Sequence, residues 1–407
     1  YLASYMFILL GVSALMMVGY FSYAWFTVQG VQKYSVVTGN LTGTLAIGSN
    51  TANINGAGVI EYTPSTNNDT LTVTVTNSSD RTVKNSLYYY TLSDSSINIG
   101  YESDSPTIPS IAGVSVDKGK SLTYKIKIAG ANGKTIRIGS SMGLVNSNLT
   151  LPSGASALEQ FDQTVSRTLL AGVGNNGTID TTDPEQTFIT GTDPNNYIWY
   201  SGKLWRAVSI DPSDNSVKLV TQWNISAFPY NASGNTAFQG SHMEQWLNDT
   251  SVDGFLGNLR EPDKFIKTDS VWNATMTTET TKPEKTTMVT DAVGLLNIYE
   301  YTMSYKNATD STEYLNNGLH WWTLTPYSTS DVRRVSNYGL VYYNSPAYSG
   351  GSRPSINLKS AVKIIDGDGT VDNPYRLQGD NDSPTGALWS TRYSGEYISF
   401  GTGENNL

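Results

Sequence analysis

The chain opens with an uncharged apolar stretch unlike anything after it. Residues Tyr1 to Gln32 contain no Asp, Glu, Lys or Arg, and the first formal charge is Lys33. At about 1.5 Å of rise per residue, the apolar run from Met6 to Val28 is long enough, as a helix, to cross the ~30 Å hydrocarbon core of a bilayer. The pattern predicts a long N-terminal hydrophobic α-helix over residues 1–32.

Such a helix has three possible roles: a secretory signal, a membrane anchor or the packed core of a polymer. A secretory signal has a basic start and a small-residue cleavage site. Ser22-Tyr23-Ala24 fits the second feature, but no basic residue precedes the apolar run. Small residues such as Gly11 and Gly19 would let copies of the helix approach closely. We expect a polymer core, formed by Tyr1, Leu2, Ala3, Phe7, Leu10, Gly11, Ala14, Leu15, Val18, Gly19, Phe21, Ser22, Trp25 and Phe26.

Between residues 33 and 152 the pattern changes to short runs in which apolar and polar residues alternate. Leu71–Thr76 and Leu122–Ile128 are clear examples. A period of two buries one face of each run, which is typical of strands, and turns rich in Gly, Asn and Ser separate the runs. The region therefore predicts an antiparallel β-sandwich domain.

Motifs around this region resemble the camelysin and biofilm-fibre family of Gram-positive bacteria. They are Tyr23–Thr27, Val36–Leu41 and the strand Leu71–Asn77. The resemblance implies a jelly-roll-like sandwich and a secreted protein that polymerises into extracellular fibres. That family usually loses its leader at the alanine-aromatic junction, whereas we expect this chain to keep it. In this respect the chain is also similar to type IV pilins, although it has Tyr5 where many bacterial pilins have Glu.

Residues 153–193 are predicted to form a short helix and a linker. Apolar residues of Ala155–Leu170 fall on one helical face, and a stretch rich in Gly, Asn, Thr and Asp follows. This segment would separate the sandwich from the next module.

A longer module follows over residues 194–378. It opens at Tyr197–Tyr200 and contains His320–Tyr327, Gly339–Tyr343 and Ser352–Leu358. The order of a Trp-Thr-x-Thr-Pro segment, a Gly-turn strand and an Arg-Pro strand resembles C-type-lectin-like domains of bacterial surface proteins. The resemblance implies an α+β domain that is repeated in secreted proteins of the Bacillota.

The tail partly repeats the opening of this module. Tyr397–Gly401 aligns with Tyr197–Ser201, with the Tyr-Ile pair at the start of each segment. Short internal repetition is informative, so residues 379–407 are predicted to begin a further repeat that continues past Leu407.

Charge and cysteine content exclude several function classes. The net charge of −9 gives no electrostatic footprint for nucleic acid, which needs clustered Lys and Arg. With no Cys there is no disulfide framework, thiolate metal site or Cys nucleophile. His242 and His320, the only histidines, fall in no metal-binding motif. We therefore expect neither a nucleic-acid-binding protein nor an enzyme.

The loop after the Gly339 strand is a candidate ligand surface, because lectin-like folds often bind ligands there. Aromatic core packing is the alternative interpretation. The candidate ligand residues are Tyr342, Tyr343, Tyr348 and Arg353.

One acidic segment has the alternate oxygen spacing of a calcium loop. It lacks the closing Glu of an EF-hand, and Asp-Gly pairs are also ordinary turn formers. Calcium is the one cofactor that the sequence leaves open, with the candidate ligands Asp366, Asp368 and Asp372.

Asn-x-Ser/Thr sequons are frequent, and a polar chain produces many by chance. The candidate glycosylation sites are Asn40, Asn68, Asn77, Asn148, Asn176, Asn224, Asn231, Asn248, Asn273, Asn307 and Asn381.

Together these patterns predict a mixed fold: a long N-terminal hydrophobic α-helix, an antiparallel β-sandwich and an α+β C-type-lectin-like domain. The predicted function is a structural subunit of an extracellular, cell-surface filament that displays an adhesion module outward. Its partners would be identical subunits, the membrane before assembly, and surface glycans or proteins of a host or community. The alternative is a membrane-anchored monomeric surface adhesin.

Overall fold

The computed structural model describes most of the chain after residue 31. The described residues are 32–38, 41–48, 52–90, 92, 94, 96–102, 112–304 and 313–380. All of the predicted N-terminal helix except Gln32, which begins a strand, most of the predicted further repeat and three sequons, Asn40, Asn307 and Asn381, lie outside them. Within those ranges, no helix has both the length and the apolar character that a membrane span requires.

The chain divides into two compact units, with the boundary between Asp162 and Gln163. The first unit contains two antiparallel sheets. Their strands are β1 (Gln32–Thr38), β2 (Leu41–Ile47), β3 (Ala52–Ile54), β4 (Ile60–Tyr62), β5 (Asn68–Asn77), β6 (Val83–Tyr90), β7 (Asn98–Tyr101), β8 (Val114–Val116), β9 (Ser121–Ala129), β10 (Ile136–Leu144) and β11 (Ala155–Ala157). One sheet has the order β1-β2-β5-β9-β7, and the other has the order β11-β6-β10-β4-β3 with β8 beside β6.

Alternation of residue types explains how these sheets share a core. Leu71 and Val73 of β5 lie opposite Ile126 and Tyr124 of β9, and none of the four side chains is exposed. Successive side chains of a strand point to opposite faces, so the threonines between them lie on the other side. The buried face packs against residues of the second sheet such as Ile138, and both sheets contribute to one hydrophobic cluster.

The second unit contains a larger sheet, a five-stranded sheet and a two-stranded hairpin. Its strands are β12 (Gly177–Asp180), β13 (Thr187–Gly191), β14 (Tyr197–Tyr200), β15 (Lys203–Ile210), β16 (Val217–Thr221), β17 (Ser226–Pro229), β18 (Ser270–Asn273), β19 (Met288–Asp291), β20 (Val293–Gly294), β21 (Trp321–Pro326), β22 (Val332–Val335), β23 (Val341–Asn344), β24 (Ser349–Ser352), β25 (Ser355–Leu358), β26 (Ile364–Asp366) and β27 (Tyr375–Leu377). Its helices are α1 (Val165–Ala171), α2 (His242–Asn248), α3 (Pro262–Phe265) and α4 (Ile298–Ser304), with a 3₁₀ turn at Leu256–Asn258.

Strand order in the second unit places the site described below. The larger sheet runs β20-β25-β16-β15-β14-β27-β26, with β13 beside β15 and β12 beside β13. The five-stranded sheet runs β17-β24-β21-β22-β23, and β18 pairs with β19. Large aromatic side chains fill the shared core, among them Trp205, Trp272, Trp321 and Trp322, each at most 1% exposed.

The predicted mixed fold class is wrong. Of the described residues, 41% lie in strands and 9% in helices. The α+β C-type-lectin-like domain predicted for residues 194–378 is not present as such, because sheets dominate this region and its helices have at most seven residues. All six residues of β21 are buried, so this strand shows no period that could be separated from that of a buried helix.

The segment predicted as one helix over Ala155–Leu170 also differs. Residues 155–157 form β11, which pairs with β6, and the helix α1 begins only at Val165. Leu158 is buried in the core of the first unit, whereas Leu169 is buried in the core of the second. The apolar residues of this segment are therefore divided between two cores and do not lie on one face of a single helix. The stretch predicted as a linker contains β12 and β13, which belong to the larger sheet.

Candidate functional site

The hairpin of β22 and β23 positions aromatic and basic side chains on both sides of the five-stranded sheet. Arg333 lies opposite Tyr343, and Arg334 lies opposite Tyr342. Opposite residues of an antiparallel pair share a face, and consecutive residues point to opposite faces. The sequence predicts that Tyr342 and Tyr343 belong to one ligand surface. In the structure they lie on different sides of the sheet.

One side carries what we call the Tyr327 cluster: Tyr327, Arg333 and Tyr343. The rings of Tyr327 and Tyr343 are stacked, with centroids 3.9 Å apart and planes at 9°. The guanidinium of Arg333 lies 4.5 Å from the Tyr327 ring centroid and donates to the carbonyl oxygen of Thr278. Tyr343 is 47% exposed although its ring is held in place. This cluster is a fixed aromatic surface that is open to solvent.

The other side carries the Tyr342 cluster: Trp322, Arg334, Tyr342 and His320. The Arg334 guanidinium lies 4.5 Å from the Trp322 ring centroid and 5.5 Å from that of Tyr342. The Tyr342 hydroxyl is 2.8 Å from Nδ1 of His320. Burial lowers the pKa of Arg334, although the nearby Tyr342 opposes the shift. Arg334 thus contacts the rings of both Trp322 and Tyr342 and helps to hold the Tyr342 ring in place.

Tyr348, a third predicted ligand residue, lies in the turn between β23 and β24. Its amide donates to the carbonyl oxygen of Ser345 at 3.1 Å, and the side chain is 62% exposed. Tyr338, in the turn between β22 and β23, is 70% exposed. Both turns thus present a tyrosine to solvent.

Arg353 is not part of a ligand surface, and its prediction is wrong. The side chain is completely buried, with its guanidinium 4.9 Å from the Trp321 ring centroid. It donates to the carbonyl oxygens of Thr221, at 2.7 Å, and of Leu315. Burial lowers its pKa to about 10, and the carboxylate of Glu313 opposes this shift. Arg353 therefore joins the end of β16 to the segment that contains Leu315.

Arg333 and Arg334, the partners of the tyrosines, are not among the residues predicted for the ligand surface. The sequence does contain a signal for them. In the structure, the Gly339 amide donates to the Ser336 carbonyl oxygen and the Ser336 amide donates to the Leu340 carbonyl oxygen, so the hairpin is centred on Tyr338. Counting outward from that turn pairs each arginine with a tyrosine. The Asn337-Tyr338-Gly339 sequence is therefore the feature that would have revealed the pairing.

The acidic segment near the end of the second unit forms turns. Oδ1 of Asp368 accepts from the Thr370 amide at 3.0 Å and from the Thr370 hydroxyl at 2.7 Å. Asp366 lies 3.5 Å from the Arg376 guanidinium, and Asp372 is exposed. In the part of the chain that the structure describes, no three His, Asp or Glu side chains gather as a metal site. The Asp368 carboxylate is thus used for local turn geometry, and that of Asp366 for an ion pair.

The described sequons differ in exposure. Asn77 is completely buried, and its amide donates to the carbonyl oxygens of Arg81 and Val116 at 2.8 and 2.9 Å. Asn231 is 6% exposed. Neither could carry a glycan in this fold, so both predictions are wrong. Asn224, Asn248 and Asn273 are half-buried, and the exposed sequons are Asn68, Asn148 and Asn176.

The two histidines have different surroundings. His242 begins α2, and its Nδ1 accepts from the Ala232 amide at 3.3 Å. His320 precedes β21 and contacts Tyr342 as described above. His320 is therefore the histidine that belongs to the candidate site.

Comparison with known proteins gives one match. Residues 214–360 match a family model described as a domain of unknown function, DUF6273. The matched range begins in the turn between β15 and β16 and ends just after β25, so it includes both the Tyr327 cluster and the Tyr342 cluster. No curated protein and no solved structure matches the chain.

Proposed function

We propose that this chain is a structural subunit of an extracellular filament. It assembles through its uncharged N-terminal segment, residues 1–32, and displays the second unit outward for adhesion. The observation that carries the adhesive part is the Tyr327 cluster, in which a half-exposed tyrosine is stacked on a second ring.

The geometry of the cluster suits binding. Tyr343 is already fixed between its strand neighbours and Tyr327, so a ligand that covers it loses little side-chain entropy on binding. Aromatic rings bury large areas and provide a face for apolar or C–H groups of a ligand. Tyr338 and Tyr348, in the adjoining turns, extend the exposed aromatic area. These groups hold other molecules without requiring a chemical step.

The N-terminal segment supports assembly. A stretch of 32 residues without a formal charge has more apolar side chains than a secreted subunit can leave in water, so we expect lipid or identical segments to cover it. Coverage by identical segments produces a polymer. Coverage by lipid alone produces a tethered monomer, which is the rival function.

The experiment compares the full chain with a chain that lacks residues 1–32. Negative-stain electron microscopy of the full chain, released from the cell surface, is expected to show fibres, and the shortened chain is expected to remain monomeric. Full-length chain that is only monomeric and detergent-dependent would reject the filament and favour a membrane-anchored adhesin.

The adhesive part has its own variants. Fibres of Tyr343→Ala are expected to bind polysaccharide-coated and protein-coated surfaces at least tenfold less than wild-type fibres. Tyr343→Phe keeps the stacked ring and is the matched control, which should bind like the wild type. If Tyr343→Ala fibres adhere as strongly as wild-type fibres, the Tyr327 cluster does not contribute to adhesion.

A further inference from the structure

The second unit contains a pocket of about 510 Å³ that shares no lining residue with the Tyr327 cluster or the Tyr342 cluster. Its lining comes from the segment before β13, the turn between β15 and β16, the β18–β19 hairpin with its connection, and the start of α4. Pockets of roughly 300–1,000 Å³ are the size that small-molecule ligands occupy. The pocket therefore has room for one compact ligand.

The floor of the pocket is fixed by Glu300. Its carboxylate forms an ion pair with Lys218, and the two side chains are 2% and 11% exposed. Its Oε2 also accepts from the Asn297 amide at 3.0 Å, while Oδ1 of Asn297 accepts from the Glu300 amide at 2.9 Å. This reciprocal pair is a capping box at the start of α4. The Lys218 ammonium also lies 4.8 Å from the Trp272 ring centroid, so the floor is preorganised.

The rim is held by a second set of ion pairs. Lys282 lies 2.6 Å from Asp183 and 2.7 Å from Glu185, and Lys285 lies 2.7 Å from Glu185. The Tyr299 hydroxyl donates to Asp183 at 2.9 Å. Hydrogen bonds from Lys282 and then Lys285 keep the pKa of Glu185 below its usual value. These contacts hold the connection between β18 and β19 beside the segment before β13.

The charges of the pocket argue against an anionic ligand. All four lining lysines are paired, because Lys267 also lies 2.5 Å from Asp214. Two further carboxylates line the pocket. Asp211 accepts from the Ser213 amide at 2.8 Å and from its hydroxyl at 2.6 Å, and Asp269 is exposed, where water and salt screen its charge. No unpaired cation remains in this lining to bind a phosphate or carboxylate.

The remaining hydrogen-bonding capacity suits hydroxyl groups. An ammonium has three donors and a carboxylate about four acceptor positions, so capacity remains even at Lys282 and Glu185, which form two ion pairs each. The Asn357 amide, which also lines the pocket, supplies one more donor and acceptor group. A hydroxyl group of a ligand can donate to the carboxylates of this lining and accept from its ammonium groups.

One wall of the pocket is apolar. Val271 and Met288 line it from β18 and β19 and are 56% and 40% exposed. Exposed apolar side chains next to dense polar groups suit a ligand with both C–H faces and hydroxyls. We infer that this pocket binds a neutral, hydroxyl-rich ligand, a saccharide of one or two rings. The inference is independent of the proposed function, because the pocket and the Tyr327 cluster are separate sites.

The experiment is isothermal titration calorimetry on the full chain, in a detergent whose headgroup is not a sugar. The neutral probes are glucose, galactose, mannose, N-acetylglucosamine, lactose and maltose, and the charged probes are glucosamine, glucuronate and inorganic phosphate. At least one neutral sugar is expected to bind, and the charged probes are expected to bind at least tenfold more weakly than that sugar.

Val271→Trp tests whether the sugar binds in this pocket. A strand accommodates an aromatic residue, and the larger side chain would fill the pocket. It is expected to lower the affinity for the neutral sugar at least tenfold, and Asn357→Ala is expected to lower it severalfold. Val252→Trp is the matched control, since Val252 is 80% exposed and does not line the pocket. Circular dichroism and thermal melting verify that each variant is folded.

Three results would overturn the inference: no heat of binding with any neutral sugar at tens of millimolar, tighter binding of a charged probe, or unchanged affinity in folded Val271→Trp. Tyr343→Ala separates the two sites. It should retain the sugar affinity of the pocket even where fibre adhesion is lost.

Discussion

The ammonium of Lys218 in β16 meets the carboxylate of Glu300 in α4, and little of either side chain is exposed, 11% and 2% respectively. Their pairing joins the larger sheet of the second unit to a helix 82 residues further along the chain. The lysine also lies over the ring of Trp272, which is completely buried. One contact thus connects the core, the helix start and the pocket floor.

Removing one partner of this pair leaves the other charge buried and unpaired. A buried charge that loses its partner typically destabilises a protein by about 3–5 kcal/mol. Glu300→Gln and Lys218→Met are each expected to lower the free energy of unfolding by about that amount. The double variant should be clearly less destabilised than the sum of the two. Urea unfolding of the four proteins gives the coupling energy, and additive losses would show that the two charges act independently.

Arg353 gives a second stability prediction. Arg353→Met removes hydrogen bonds to two buried carbonyl oxygens and leaves the Glu313 carboxylate, which is 2% exposed, without its nearby cation. We expect a loss of about 3–5 kcal/mol in the free energy of unfolding. Arg353→Lys should recover only part of it, because an ammonium lacks the planar fork of a guanidinium.

The matched control for this prediction is Arg137→Met. Arg137 pairs with Glu61 at 3.3 Å but is 62% exposed, and exposed ion pairs contribute about 0–1 kcal/mol. Chemical denaturation of both variants makes the comparison. A loss for Arg353→Met as small as that for Arg137→Met would mean that the buried arginine contributes packing alone.

The buried charges at Glu300 and Arg353 also show where sequence patterns stop being informative. Alternation is sufficient to place strands such as β5 and β9, because each has one buried face and one polar face. It cannot place Arg353, whose guanidinium donates to the carbonyl oxygens of Thr221 and Leu315, 132 and 38 positions earlier in the chain. No local pattern connects these residues, so an arginine next to exposed tyrosines is naturally interpreted as exposed.

The same limit applies at the candidate site and at the boundary between the units. A period of two separates Tyr342 from Tyr343 once a strand is assigned, yet their arginine partners emerge only from the hairpin register. Leu158 and Leu169 match a helical period by spacing, although they belong to different cores. Periodicity reports which residues are buried, and it does not report in which core they are buried.

The turn at Asp368 provides a prediction about calcium. Oδ1 of Asp368 is occupied by two hydrogen bonds from Thr370, which makes it a turn former. Melting temperatures with 5 mM CaCl₂ and with EDTA are therefore expected to agree within error. Asp368→Asn should keep the turn, whereas Asp368→Ala should cost about 1 kcal/mol. A calcium-dependent rise in the melting temperature that Asp368→Asn abolishes would restore the metal-binding interpretation.

Asp291 gives the prediction of pH dependence. Oδ2 of Asp291 is buried without a hydrogen-bond partner, and burial, followed by the nearby Glu244 carboxylate, raises its pKa to about 6. An aspartate in an unfolded chain has a pKa of about 3.9. Between these values the folded state binds more protons than the unfolded state, so the contribution of Asp291 to stability is complete below about pH 4 and is lost as the pH rises through 6.

Asp291→Asn replaces the carboxylate by a neutral group of the same shape. The variant is expected to be more stable than the wild type at pH 8, and the difference should shrink between pH 6 and pH 4. Urea unfolding at pH 4, 5, 6, 7 and 8 measures it, with the exposed Asp253→Asn as control for the loss of one negative charge. A gain that is constant across this range, or that Asp253→Asn reproduces, would show that the titration of Asp291 does not govern stability here.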